Sequence, residues 1–268
     1  MKLETHTLVS EEHVGRCTVM LRSLSTHCTV QPVLHDDGSL SARSVERLRE
    51  EWPNALIISR PEANHRAAEQ LVGHPKVLWW RNHNIRATQL IDYFLFAEQS
   101  RVLAVDTDVV FLRKPTEILS WVSTPENRSS YFAYSPEFDP DPSGIHWLPE
   151  AVPGAPFIPA MCCGFAAVQT DAFLDLDYLE DLIDRTDPVI RVQQRFVTQM
   201  YYSLLAGRLP AQRVVSLGEQ YRSGPLEDLP SCEDRAICHY FGSRPAELGD
   251  GLEGVWSCYP HLRAMLTA

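Results

Sequence analysis

The chain has no apolar run approaching the roughly 20 residues that a bilayer span requires. Its start, Met1-Lys2-Leu3-Glu4-Thr5-His6-Thr7, lacks the apolar stretch of a secretory signal. No integral membrane segment is expected, and the cytoplasm is the expected location. Basic residues are scarce as well: 24 Lys and Arg stand against 35 Asp and Glu, a net charge of −11. No run of Lys and Arg stands out, and neutralising a phosphate backbone needs one, so nucleic acid is excluded as a partner. An acidic chain can still hold an anionic nucleotide locally, through a metal ion or a helix N-terminus. Seven cysteines in 268 residues are too few and too irregular for a disulfide framework. Most read as small buried hydrophobes. A Gly-rich phosphate loop, a Ser-His-Asp signature, internal repeats and low-complexity linkers are all missing.

What the sequence does contain is a core. Apolar residues make up 44% and charged residues 22%, as in ordinary globular proteins. The length fits one large α/β domain. Apolar runs alternate with amphipathic stretches, which predicts an α/β fold with a mostly parallel central sheet flanked by helices. The expected strands are Leu3–Val9, Val30–His35, Ala55–Ser59, Val77–Trp80, Arg101–Val105, Tyr131–Tyr134, Gly164–Gln169, Arg213–Ser216 and Ala236–Tyr240. Ser41 is suited to cap a helix over Ala42–Glu51. Arg86–Ala97 places Ala87, Leu90, Ile91, Phe94 and Leu95 on one helical face. Asp171 is the expected cap of a helix running through Phe173, Leu179, Leu182 and Ile183, and another helix is expected over Gln193–Ala206, ended by Gly207. Pro136–Pro159 is Pro-rich and without period, a long loop of the kind that covers binding sites.

The sharpest chemical feature is Arg101-Val-Leu-Ala-Val-Asp106-Thr107-Asp108-Val-Val-Phe-Leu. Val102–Val105 reads as a strand buried on both faces, with two carboxylates at its C-terminal end, where ligands bind in open α/β sheets. In an extended chain, residues i and i+2 share a side, so Asp106 and Asp108 converge and Thr107 faces away. Two such carboxylates repel, and a divalent cation with a taste for hard oxygen ligands, Mn²⁺ or Mg²⁺, relieves the repulsion while binding diphosphate oxygens.

This stretch, with Phe111-Leu-Arg-Lys-Pro115 after it, resembles the DxD motif of nucleotide-sugar glycosyltransferases of the GT-A fold, and is similar to glycosyltransferase family 8. The segments His6–Val14 and Leu21–Leu24, Leu34–Gly38, Arg86, Met161–Asp171, Gln193–Arg195 and Ile237–Pro245 follow in the order of that family's motifs. The resemblance implies one GT-A domain over 1–268, with a nucleotide-binding half (1–115) and a half for sugar and acceptor (116–268) that ends in a metal-ligand segment. It implies a metal held by Asp106, Asp108 and His239. It implies a donor site at Val9, Ser10, Asp37, Arg86, Asp106, Thr107, Asp108, Gly164 and Arg244, with Gln194 and Arg86 nearest the reacting sugar. The donor would be a nucleoside-diphosphate sugar, UDP-linked. The acceptor would be a hydroxyl of a saccharide, lipid, protein or small molecule. Cys162 stands where the family has Asn, and Gln193 where it has Asp.

Two other readings use the same residues. Asp106 and Asp108 also resemble the nucleophile and acid/base of haloacid-dehalogenase-like phosphatases. Those enzymes begin with that strand and use a later lysine, and here no lysine follows Lys114. A protein that binds a nucleotide sugar without turning it over would keep the carboxylate pair. A zinc site from Cys232, Cys238, His239 and Cys258 lacks any C-x₂-C spacing.

Overall fold

The computed structural model describes residues 2–123, 131–136, 152–192, 196–223 and 235–239. A seven-stranded sheet organises them. Its strands are β1 (Lys2–Val9), β2 (Thr29–Asp36), β3 (Leu56–Ile58), β4 (Arg101–Val105), β6 (Phe132–Pro136), β7 (Met161–Gln169) and β8 (Val214–Ser216), in the order β3-β2-β1-β4-β7-β6-β8. Six strands run one way, and β7 alone is antiparallel to its neighbours. Two short strands, β5 (Val109–Phe111) and β9 (Ile237–His239), pair antiparallel beside it.

Strand alternation divides the core in two. Val102, Ala104, Ala166 and Val168 face one layer, which holds α4 (Pro75–His83), α8 (Leu176–Arg185) and α10 (Val197–Gly207). Leu103, Val105, Phe165 and Ala167 face the other, with α1 (Val14–Ser25), α2 (Ala42–Glu51) and α6 (Thr116–Ser123). Strand β4 is therefore buried on both faces, as its apolar run implies. Among the described residues no helix is long and apolar enough to cross a membrane.

Local chemistry accounts for most boundaries. The Ser41 hydroxyl accepts the Ser44 N–H at 3.2 Å and starts α2. Ser59, with Pro61 behind it, starts α3 (Arg60–Gln70). Gly207 is demanded by packing, because a Cβ there would lie 2.4 Å from the Phe157 backbone.

The structure departs from expectation in three places. Val77–Trp80 lies inside α4: Pro75 sits in its first turn, and Val77, Trp80 and Arg81 recur at helical spacing on its buried side. Four apolar residues in a row fit either period. Arg86–Ala97 buries its apolar face, but as a 3₁₀ segment (Ile85–Gln89) followed by the short α5 (Ile91–Leu95). Asp171 caps nothing. A one-turn α7 (Thr170–Phe173) stops at Leu174, and Asp175 accepts the Tyr178 N–H at 3.0 Å to begin α8. A further turn, α9 (Pro188–Arg191), precedes α10, whose expected start at 193–195 lies outside the described residues.

Candidate functional site

The C-terminal ends of β1, β2 and β4 share one edge, and a cavity of about 300 Å³ opens there. Its rim is tied together by polar contacts of the chain itself. The Val9 carbonyl accepts the Asp37 N–H at 3.1 Å, joining the ends of β1 and β2. Glu11, just past β1, accepts the Ser41 N–H at 2.8 Å and the Ser41 and Ser44 hydroxyls at 2.9 and 2.7 Å. Its own N–H donates to Ser39 Oγ at 2.9 Å. These bonds, the backbone one from Ser41 first, hold the Glu11 carboxyl below its usual range. Asp37 in turn accepts the Ser39 N–H and hydroxyl at 2.9 and 2.6 Å.

At the inner end stand the acidic groups. Asp106 follows β4 and its N–H donates to the Gly164 carbonyl at 2.8 Å. The chain then turns, with the Val109 N–H on the Asp106 carbonyl, instead of staying extended. Asp106 and Asp108 still converge, by way of this turn and not strand alternation, and Thr107 lines the cavity beside them, contrary to the outward orientation expected of an extended segment. The β5–β9 pairing sets His239 opposite Val109, next to Asp108. Its Nε2 lies 3.2 Å from Asp108 Oδ1 and 4.0 Å from Asp106 Oδ2.

One ligand atom from each of Asp106, Asp108 and His239 falls within 4.8 Å of the others. Oxygen ligands stand about 2.0–2.6 Å from Mg²⁺ or Ca²⁺, so the three groups can share one cation. Asp108 Oδ1 is buried and, beyond its ion pair with His239, accepts no hydrogen bond among the described residues. Burial and the Asp108 charge push the Asp106 carboxyl up to about 6. Asp108 goes the other way: burial works against ionisation, but the charge and N–H of His239 outweigh it and hold this carboxyl low. Burial likewise opposes the His239 imidazolium, and Cys162 and Asp108 outweigh it. Such a set, two carboxylates held apart in proton affinity beside one imidazole, fits a divalent metal.

Gly164 stands behind this set. A Cβ there would come within 2.3 Å of His239 Cε1 and 2.8 Å of Asp106 Oδ2, so only glycine lets the imidazole and carboxylate close on each other. It does not line the cavity, nor does Val9, which is fully buried; Leu8 and Ser10 line it instead. Asp37 and Arg86 are lining residues. Gln194 and Arg244 lie outside the described residues, as do most of the Pro-rich segment and Cys232 and Cys258 of the alternative zinc set.

Sequence reasoning missed Glu12, His13, Arg16 and Gln89, all of which line the cavity. Gln89 Nε2 donates to Asp106 Oδ1 at 2.7 Å, and the Tyr202 hydroxyl holds the Gln89 carbonyl at 2.7 Å. His13 is kept neutral by burial and by Arg16. Spacing was the available signal: Arg16 follows His13 by three and Gln89 follows Arg86 by three, which puts each pair on one helical face. The guanidiniums of Arg16 and Arg86 make no ion pair among the described residues, though both line a cavity that carries carboxylates.

Comparison with known proteins gives one kind of answer. No family model matches the chain, and no curated protein matches it. Solved structures do. The galactosyltransferase LgtC, in complex with donor and acceptor sugar analogues, is similar with a TM-score of 0.61 and 14% identity, over 99% of this chain and 97% of that one. Mouse xyloside xylosyltransferase 1, in its apo form, is similar with a TM-score of 0.56 and 11% identity, over 89% and 97%. The apo form of the glycosyltransferase GlyE of Streptococcus pneumoniae TIGR4 gives 0.57 and 13%, over 100% of this chain and 62% of that one. At these identities the likeness is one of fold, and the fold is that of the GT-A glycosyltransferases.

Proposed function

We propose that this chain is a metal-dependent glycosyltransferase that moves a sugar from a nucleoside-diphosphate donor, UDP-linked, to a hydroxyl acceptor. The observation that carries the reading is a cavity lined by Asp106 and Asp108, with His239 beside them, and by two guanidiniums that make no ion pair among the described residues, at the sheet edge where α/β folds bind nucleotides. The sugar-transferring enzymes that share the fold support it.

In this reading Asp106, Asp108 and His239 hold Mn²⁺ or Mg²⁺, which supplies Lewis-acid stabilisation of the departing diphosphate. Arg16 and Arg86 face the same charge, and Arg244 joins them. Arg16 and Arg86 match the two charges that the diphosphate carries while still esterified to the sugar, beside a metal whose charge the two carboxylates would neutralise. Ser10 and Asp37 hold the nucleoside, and the neutral ring of His13 offers it a flat face. Gln89 fixes the rotamer of Asp106 through its 2.7 Å hydrogen bond. Gln194 lines the sugar pocket in the role its motif implies. The phosphatase reading finds less support: β4 follows three other strands in the chain, and no lysine lines the cavity among the described residues.

A thermal-shift series with UDP and GDP, with and without Mn²⁺, tests the proposal. A ligand at 100 times its Kd adds about 2.7 kcal/mol, a rise of several degrees for a chain of this size. The expected result is stabilisation by UDP only with metal, lost in Asp108→Ala. No stabilisation by any nucleotide under any metal condition overturns the reading. Stabilisation without release of UDP from a UDP-sugar, across acceptors, favours the non-catalytic binder.

A further inference from the structure

Strand β7 brings a second residue to the metal corner. Cys162 and Gly164 are two apart on an extended strand, so they share a face. The β6–β7 register jumps at that point, from Tyr134 opposite Ala166 to Ser135 opposite Cys162, an irregularity that re-aims side chains beside a site. Cys162 Sγ lies 3.5 Å from His239 Nδ1, and both residues are buried. The imidazole is thereby met on three sides: Cys162 at Nδ1, Gly164 at Cε1 and Asp108 at Nε2.

We infer that Cys162 is a positioning residue for the metal-ligating imidazole: its sulfur accepts a hydrogen bond from His239 Nδ1–H, which leaves the Nε2 electron pair directed at the ion. The inference rests on the metal reading above. A neutral imidazole carries one proton, so an Nε2 that binds metal requires the proton on Nδ1. A buried N–H needs an acceptor, and ligating histidines almost always donate this second N–H to a carboxylate, carbonyl or water. In this chain a sulfur occupies that place, at the position where the resembling family carries an amide. The reverse arrangement, with S–H donating to Nδ1, would put the proton on Nε2 and aim it at the cation.

The test compares Mn²⁺ binding, read from the free-ion EPR signal, in the wild-type chain, Cys162→Ala and Cys162→Ser. The expected result is a loss of about 10- to 100-fold in affinity for Ala and recovery of most of it for Ser, whose oxygen accepts the same N–H. Long-range ¹H–¹⁵N spectra of the Zn²⁺-loaded wild-type chain should show His239 protonated at Nδ1 and bare at Nε2, a readout that needs no variant to fold. Wild-type affinity in Cys162→Ala, an equal loss in Ala and Ser, or a proton on Nε2 in the loaded chain overturns the inference and leaves the metal reading standing. A wild-type chain that binds no divalent ion overturns both.

Discussion

Asp92 and Asp108 are both carboxylates drawn into the fold, and they differ in how their oxygens are satisfied. Asp92 meets Arg81 in a two-pronged pair, Nε to Oδ1 and Nη2 to Oδ2, each at 2.7 Å. The same guanidinium reaches Asn64 and Asn82 at 2.7 and 3.0 Å, and both members of the pair are buried. Asp108 stands beside another carboxylate at the inner end of a cavity, and its buried Oδ1 meets the His239 ring alone among the described residues. The first cluster is complete within the chain. The second is, in the proposed function, a coordination set waiting for its ion, and a cluster left open in that way differs from a structural ion pair.

Removing one carboxylate from each cluster should break the comparison if it is wrong. Asp92→Ala leaves a buried guanidinium without its counter-charge, a loss of about 3–5 kcal/mol, or roughly 6–20 °C in Tm. Asp108→Ala relieves the repulsion on Asp106 but also takes the carboxylate from beside the His239 ring, and these opposed effects should leave a loss of no more than about 2 kcal/mol. Urea unfolding in the presence of a chelator measures both, and equal losses would contradict the distinction.

Acid sharpens it further. A third buried polar group, Glu4–His6–His35, is joined by contacts of 2.8 and 2.9 Å across β1 and β2. Burial, against the pull of Glu4, lowers the His6 pKa, and burial and His6 lower that of His35 well below 6.5. Both rings are therefore neutral in the folded chain and take up protons on unfolding. Their contribution is complete above pH 6.5 and is lost as pH falls below it, by up to about 1.4 kcal/mol per pH unit for each ring. Unfolding free energies between pH 7.5 and 5 should show this fall, and His35→Gln should flatten it.

The smallest effect belongs to the cavity's arginines. Arg16→Gln should weaken UDP about tenfold, in keeping with about 1.5 kcal/mol for a charged hydrogen bond, and should leave uridine unchanged. Titration calorimetry with both ligands tests it. A parallel loss for uridine would move Arg16 from the phosphates to the base.

Much of this was legible in the sequence where the rule is local. The cap at Ser41 and the doubly buried run before Asp106 each declare themselves within a few residues. The pairing of Asp106 with Asp108 was legible too, although a turn achieves it and alternation does not. What escaped depends on the rest of the chain. Val77–Trp80 needed Pro75 and the core around it to show its period. α3 buries only Ala63 and Ala67, too little apolar content to mark a helix, and β5 reads as a continuation of β4. Arg16, His13 and Gln89 carry no motif, and the curl of the sheet edge brings them to the cavity. Cys162 stands out in the sequence only as a departure from the resembling family's Asn, because the imidazole beside it comes from a strand far along the chain.

That late arrival has a consequence for how the molecule is made. Strand β9 is three residues long and offers few ladder bonds of its own. Its last residue completes a cluster whose other members emerge much earlier in synthesis. A nascent chain that has made β4 and the turn after it therefore presents two carboxylates with no imidazole beside them, and the proposed metal corner is complete only when β9 docks on β5. An ion captured at that moment would act as a rivet, joining this later-made strand to the earlier-made edge.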